Sequence, residues 1–251
     1  MIRLVEEAQP ERYGLLFGFW TVALLCAYLA RELALSLGES TVRRVLHAAG
    51  FVWRRPKLIV RPSAHEPEGL ARQWAIVKAV IEAGPETGVV YVDECDVQLL
   101  PVVRAMWMRR GQQVRVPTPG TNRKFSVFGG LDIRSGVWYY RVAERKLAAH
   151  FVGFLEQLVK AYEGRPLIVI ADNAGPHSAR VVQRWLAEHP QVRLLFLPKY
   201  SPHLNPVEKV WWQLKREISA NRCYGDVTDL VEAVHRFFGE LSPQAALRLA
   251  A

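Results

Sequence analysis

Three acids in this chain of 251 residues sit where chemistry could use them. Asp93 lies near the end of the apolar run "GVVYVDE", and Asp172 near the end of "PLIVIADN". Glu208 stands just inside a helix introduced by "LPKYSPHLNPVEKVWWQLKR". Both runs are rich in Val and Ile and read as strands buried on both faces. Neighbouring parallel strands present their carboxyl ends on one side of a sheet, so the two aspartates are placed to converge. An acid opening the helix after the next strand completes the set. Three crowded carboxylates repel one another unless a cation neutralises them, and an all-oxygen site suits Mg²⁺ or Mn²⁺ and not zinc. Two such ions, roughly 4 Å apart, clamp the attacking and leaving oxygens of an in-line displacement at phosphorus. Glu208 also has a purely structural reading. Asn205 suits the helix cap, Pro206 the first position and Glu208 the third, which completes a capping box beside the positive end of the helix dipole.

The elements that must hold these acids follow from the hydrophobic periods. "KFSVFGGLDI" and "GVWYYRVAE" flank the turn residues "RSG" and read as a hairpin. "KLAAHFVGFLEQLVKAYEG" is an amphipathic helix, "SARVVQRWLAEHP" another, and "VRLLFLP" a further strand. Three strands, helix, strand, helix, strand, helix predict a mixed five-stranded α/β sheet with helices on both faces. Upstream, "VALLCAYLARELAL" follows a helix cap at Thr21, and "TVRRVLHAAG" is a second helix, capped by Ser40 and closed by Gly50. Two short helices joined by the turn "SLGES" suggest a small helix-turn-helix domain, winged-helix-like, with Arg43 and Arg44 on the second helix. Arg54, Arg55, Lys57 and Arg61 surround an exposed Trp53 in a basic arm fit to follow a phosphate backbone. The domain boundaries expected are 1–62 for the helix-turn-helix, 63–86 for a linker and connecting helix, 87–240 for the catalytic domain and 241–251 for a tail.

Composition points the same way. The chain carries 33 Lys and Arg against 24 Asp and Glu, a net charge of +9, which favours nucleic acid first and anionic membrane second. The charge-free run from Tyr13 to Ala30 meets the lower length for a membrane span, but Glu6, Glu7 and Glu11 precede it and Thr21 divides it. No membrane is expected. Cys26, Cys95 and Cys223 are far apart with no paired spacing, which fits a reducing cytoplasm, and Cys95 reads as a small buried hydrophobe. Near the three acids, Glu94 is expected on the opposite strand face, Asp96 in solvent and Asn173 in a loop-shaping turn. His177 and His203 are either hydrogen-bonded loop residues or substrate contacts. Trp211 and Trp212 read as core.

The blocks "YVDE", "IADNAGPH" and "YSPHLNPVEKVW", with "WMRRGQ" between them, resemble the mariner-like bacterial insertion-sequence transposases of the Asp-Asp-Glu superfamily. The likeness runs from about residue 10 to about residue 235. It implies a ribonuclease-H-like catalytic fold, with Asp93, Asp172 and Glu208 as the first, second and third acids holding the divalent metal. It further implies excision and reinsertion of an element through its terminal inverted repeats and target double-stranded DNA, by a homodimer on DNA at the bacterial nucleoid. Residues 173–207 separate the last two acids, one more than is usual among mariner relatives. Family members usually carry two helix-turn-helix units, and this chain is expected to begin inside or at the second. Two alternatives stay open: a DNA-binding regulator or inactive transposon remnant, and a structure-specific nuclease or ribonuclease H.

Overall fold

The computed structural model describes residues 1–7, 9–15, 18–54, 66–199 and 201–251, the side chains of Glu7 and Glu66 excepted. Arg55, Lys57 and Arg61 of the basic arm therefore lie outside the described residues. The chain divides into two compact units, Met1–Ile59 and Val60–Ala251.

The first unit holds helices α1 (Ile2–Glu7), α2 (Val22–Leu33) and α3 (Glu39–Ala48). Thr21 caps α2 as its periodicity requires, its hydroxyl accepting the Leu24 N–H at 3.1 Å. Trp20, Leu25 and Val42 form the buried centre. The cap of α3 is Gly38 and not Ser40, which already lies in the first turn, so the glycine of the connecting turn supplies the extended residue that starts the helix. Gly50 does close it, at φ 84°. Among the described residues no helix is long and apolar enough to cross a membrane.

The second unit begins with α4 (Glu66–Glu82) and is built on a five-stranded sheet of β1 (Gly88–Gln98), β2 (Lys124–Asp132), β3 (Trp138–Ala143), β4 (Leu167–Ala171) and β5 (Val192–Phe196). The strand order is β3-β2-β1-β4-β5, with β1–β2 and β2–β3 antiparallel and β1–β4 and β4–β5 parallel. This is the mixed sheet that a hairpin followed by two crossovers produces. Helices α5 (Ala148–Ala161) and α6 (Arg180–Glu188) cover one face, where Val90 and Val92 pack on Phe151, Phe154 and Trp185. On the other face, α7 (Val207–Leu214) and α8 (Val227–Glu240) pack against Cys95, Val97 and Val127, and α4 packs against Val89, Ile168 and Ile170. The final stretch is a helix, α9 (Pro243–Ala250), whose Ala246 is buried in the same core as α7.

Candidate active site

An open cleft of about 460 Å³ is lined by Asp93, Glu94, Cys95, Asp96, Lys146, Asp172, Ala174, Pro176, Glu208, Trp211 and Lys215. All three predicted acids are on its wall. Different elements bring them there, each for a local reason.

Asp93 lies in the middle of β1 and not near its end. Parallel pairing of β1 with β4 stops at Tyr91–Ile170, but antiparallel pairing with β2 continues through Asp93–Gly129 to Gln98–Lys124. Asp93 is thus the second residue beyond the point where its parallel neighbour stops. One carboxylate oxygen, Oδ2, accepts the indole N–H of Trp211 at 3.0 Å. Burial first, then the charge of Glu208, push its carboxyl up to about 7.

Asp172 directly follows β4. Its Oδ1 accepts the Ala174 N–H at 2.9 Å and lies 2.9 Å from Nδ1 of His177. The hydrogen bond to His177 holds its carboxyl below the ordinary aspartate range, against the effect of burial. Nearby, Asn173 shapes the loop as expected, donating to the Leu197 carbonyl and accepting from Arg72.

Glu208 sits in the first turn of α7. Pro206 already has helical dihedrals (φ −63°, ψ −22°), so Asn205, extended at φ −97° and ψ 107°, is the physical cap. The Asn205 Oδ1 accepts the Val207 N–H at 3.2 Å, and its Nδ2 donates to the Val92 carbonyl at 3.1 Å, tying the helix start to β1. The reciprocal arm of the capping box is not made. The Asn205 N–H instead bonds the Pro202 carbonyl at 2.9 Å, and among the described residues no donor reaches the Glu208 carboxylate, which is exposed to the cleft.

Among the described residues no three Asp, Glu, His or Cys side chains gather closely enough to hold one ion. The acids share a cleft without forming a cage. That fits Mg²⁺, which keeps several waters and is bound through one or two carboxylates plus substrate phosphates.

Several residues of the site went unread or were misread in the sequence. His177 is completely buried, with Nε2 2.5 Å from Glu94 Oε1 and Nδ1 beside Asp172. Burial opposes its charge, but the two carboxylates prevail and push its pKa up to about 10. Glu94 does occupy the opposite face of β1, yet it is engaged there and not idle. Asp96 is paired and not simply solvated: Lys124 Nζ and Ser126 Oγ both lie at 2.8 Å, and despite burial they keep its carboxyl low. Trp211 is core as expected, while Trp212 is 55% exposed with the Arg216 guanidinium 5.2 Å from its ring. Cys95 is buried, with a thiol pushed up to about 11 by that burial. His203 is exposed. Lys215 enters the cleft where α7 passes into a π-helical turn, Lys215–Ser219, a distortion common at functional sites.

In the first unit Arg43, Arg44 and Arg54 are exposed, and Arg43 pairs with Glu39 at 2.7 Å. Trp53 is exposed as expected, its ring 6.0 Å from that of Phe19.

Known proteins share both units. The family described as DDE superfamily endonuclease matches residues 88–231, and the family described as winged helix-turn helix matches residues 16–65. Over 246 residues the chain is 35% identical to the 39 kDa protein of insertion element IS630 from Shigella sonnei, covering 97% of this chain and 71% of that protein. It is 25% identical over 217 residues to the Tcb2 transposase of Caenorhabditis briggsae, covering 77% of each. Among solved structures, the Mos1 transposase paired-end complex with left transposon end matches with a TM-score of 0.65 at 18% identity, covering 92% of this chain and 74% of that one. The Mos1 paired-end complex with Mg matches with a TM-score of 0.65 at 20% identity and the same coverage. At that identity the likeness to the solved chains is one of fold.

Proposed function

This chain belongs to the DDE superfamily of endonucleases, among the transposases related to IS630 and the Tc1/mariner elements, and we propose that it cuts and rejoins DNA through Asp93, Asp172 and Glu208. One observation carries this reading: three acids from β1, the end of β4 and the start of α7 open onto a single cleft.

The three carboxylates are the residues to hold Mg²⁺ or Mn²⁺, and two ions suit an in-line displacement at phosphorus. When bound, a divalent cation stabilises charge on the oxygens at phosphorus and eases deprotonation of the attacking hydroxyl. Solved Mos1 paired-end complexes have been described with Mg and with Mn. The chain's own side chains do the positioning. Trp211 fixes the direction of Asp93, the Ala174 N–H and His177 fix Asp172, and Asn205 anchors the turn that presents Glu208. Lys146 and Lys215 bring positive charge to the same cleft, where a scissile phosphate needs it.

The first unit supplies recognition, with Arg43, Arg44 and Arg54, together with Arg55 and Lys57, contacting phosphates of double-stranded DNA at the element's terminal inverted repeats. Two copies acting together, one at each element end, match the two-ended substrate. The setting is the bacterial cytoplasm, at the nucleoid.

The test is incubation of the chain with Mg²⁺, DNA bearing the flanking inverted repeats, and a target plasmid. Products cut at the repeat ends and joined to the target support transposition. Cutting without joining identifies a nuclease, and binding without cutting identifies a regulator or an inactive remnant.

A further inference from the structure

We propose that Glu94 and His177 form a positioning pair that fixes the Asp172 carboxylate, an assignment that rests on Asp172 being one of the metal-holding acids. Glu94 follows Asp93 in sequence, but alternation along β1 sends it to the α5 face, where only 6% of its side chain is exposed. A carboxylate buried there demands a partner. Its partner is His177, wholly buried, with its ring 4.3 Å from that of Phe151, 2.5 Å from Glu94 Oε1 through Nε2, and 2.9 Å from Asp172 Oδ1 through Nδ1. The Asp172 main-chain carbonyl lies 3.2 Å from the same Nδ1.

Every group facing the ring nitrogens is an acceptor: Nε2 faces Glu94, and Nδ1 is hydrogen-bonded to the Asp172 main-chain carbonyl and in ion-pair contact with Oδ1, so the imidazole links the two carboxylates. The Ala174 N–H also holds Asp172 Oδ1, at 2.9 Å. With Oδ1 held by the Ala174 N–H and in contact with the imidazole, the carboxylate is restrained in direction, and among the described residues Oδ2 has no donor. Glu94 therefore contributes to the cleft without being a ligand: it stands behind the histidine that aims the ligand. A buried ionic chain of this kind is a poor device for stability alone, because apolar side chains of similar volume serve a core as well or better. It is a good device for direction, as are the outer partners of metal ligands in general.

The experiment measures Mn²⁺ affinity of the full chain by electron paramagnetic resonance, alongside the melting temperature and DNA affinity in metal-free buffer. Glu94→Ala removes the acceptor behind His177, and Glu94→Gln keeps it. The expected result is Mn²⁺ affinity roughly tenfold to a hundredfold weaker in Glu94→Ala, unchanged DNA affinity, and recovery to near the parent value in Glu94→Gln. A role in stability alone would lower the melting temperature and leave Mn²⁺ affinity intact. Parent-like Mn²⁺ affinity in Glu94→Ala, with Asp172→Asn impaired, overturns the positioning role alone. Equal loss in Glu94→Ala and Glu94→Gln also overturns it, since an acceptor would then not suffice. Should Glu94→Ala not fold, Glu94→Met, which fills the same buried space without a carboxylate or amide acceptor, takes its place with the same outcomes. Parent-like affinity in Asp172→Asn removes the metal assignment itself, and the positioning role with it.

Discussion

Burial and the charge of Glu208 push the Asp93 carboxyl up to about 7, while His177 holds Asp172 low. In the unfolded chain an aspartate titrates near 3.9. The folded form of Asp93 therefore keeps its proton where the unfolded form has lost it. Stability from this group is full below about pH 4, declines as pH rises through 7, and is gone above that. In metal-free buffer at pH 8, Asp93→Asn removes a like charge from a crowded cleft and is expected to raise the melting temperature by several degrees, on the order of 1–3 kcal/mol. The amide oxygen still accepts from Trp211, and at pH 4.5 the variant and the parent are expected to melt alike. Mn²⁺ is expected to raise the melting temperature of the parent at pH 8 and to do less for the variant. Thermal melts across pH, with and without Mn²⁺, check this; a gain of the same size at both pH values would contradict it. A residue that lowers stability unless a cation is present is placed for function.

Between the elements, the close approach of α7 to β2 sets the geometry of Asp93. Gly129 pairs with Asp93 across the sheet, and a Cβ there would collide with both Trp211 and Trp138. The lack of a side chain at Gly129 leaves room for the Trp211 indole beside β2, from where it donates to Asp93. Gly129→Ala is expected to displace Trp211, costing about 1–3 kcal/mol from overpacking and lowering cleavage roughly tenfold to a hundredfold through a misdirected Asp93. Melts and single-turnover cleavage of the same sample measure the two effects; cleavage at the parent rate would show that Trp211 does not orient the acid. The elements themselves were readable, because apolar runs and helical periods do not depend on tertiary partners. Their ends were less so. β1 outruns its predicted function as a strand ending in an acid because β2 keeps pairing with it to Gln98, and Ser40 yields the cap of α3 to Gly38. Such ends are decided by neighbours that a single stretch of sequence does not contain.

For the molecule as a whole, the spacing of Asp93, Asp172 and Glu208 placed them on one cleft, and the mixed sheet explains why. What composition and spacing did not reveal is the support behind them. Glu94 is joined to His177 across 83 residues of chain, His177 to Asp172 across 5 and Trp211 to Asp93 across 118, and only the folded sheet brings the distant pairs together. Glu208 concentrates the central claim, since its position also suits a helix cap. Its carboxylate makes no capping bond among the described residues, because the Asn205 N–H is taken by Pro202. Glu208→Gln keeps the shape and removes the charge, at a cost of a few tenths of a kcal/mol to roughly 1 kcal/mol from the helix dipole. The decisive measurement is single-turnover cleavage of DNA carrying the inverted repeats in Mg²⁺ by this variant, with binding to the same DNA followed in parallel. A catalytic Glu208 predicts retained binding, a nearly unchanged melting temperature and cleavage reduced by at least about a hundredfold. Cleavage close to the parent rate would contradict it and leave Glu208 as part of the helix start alone.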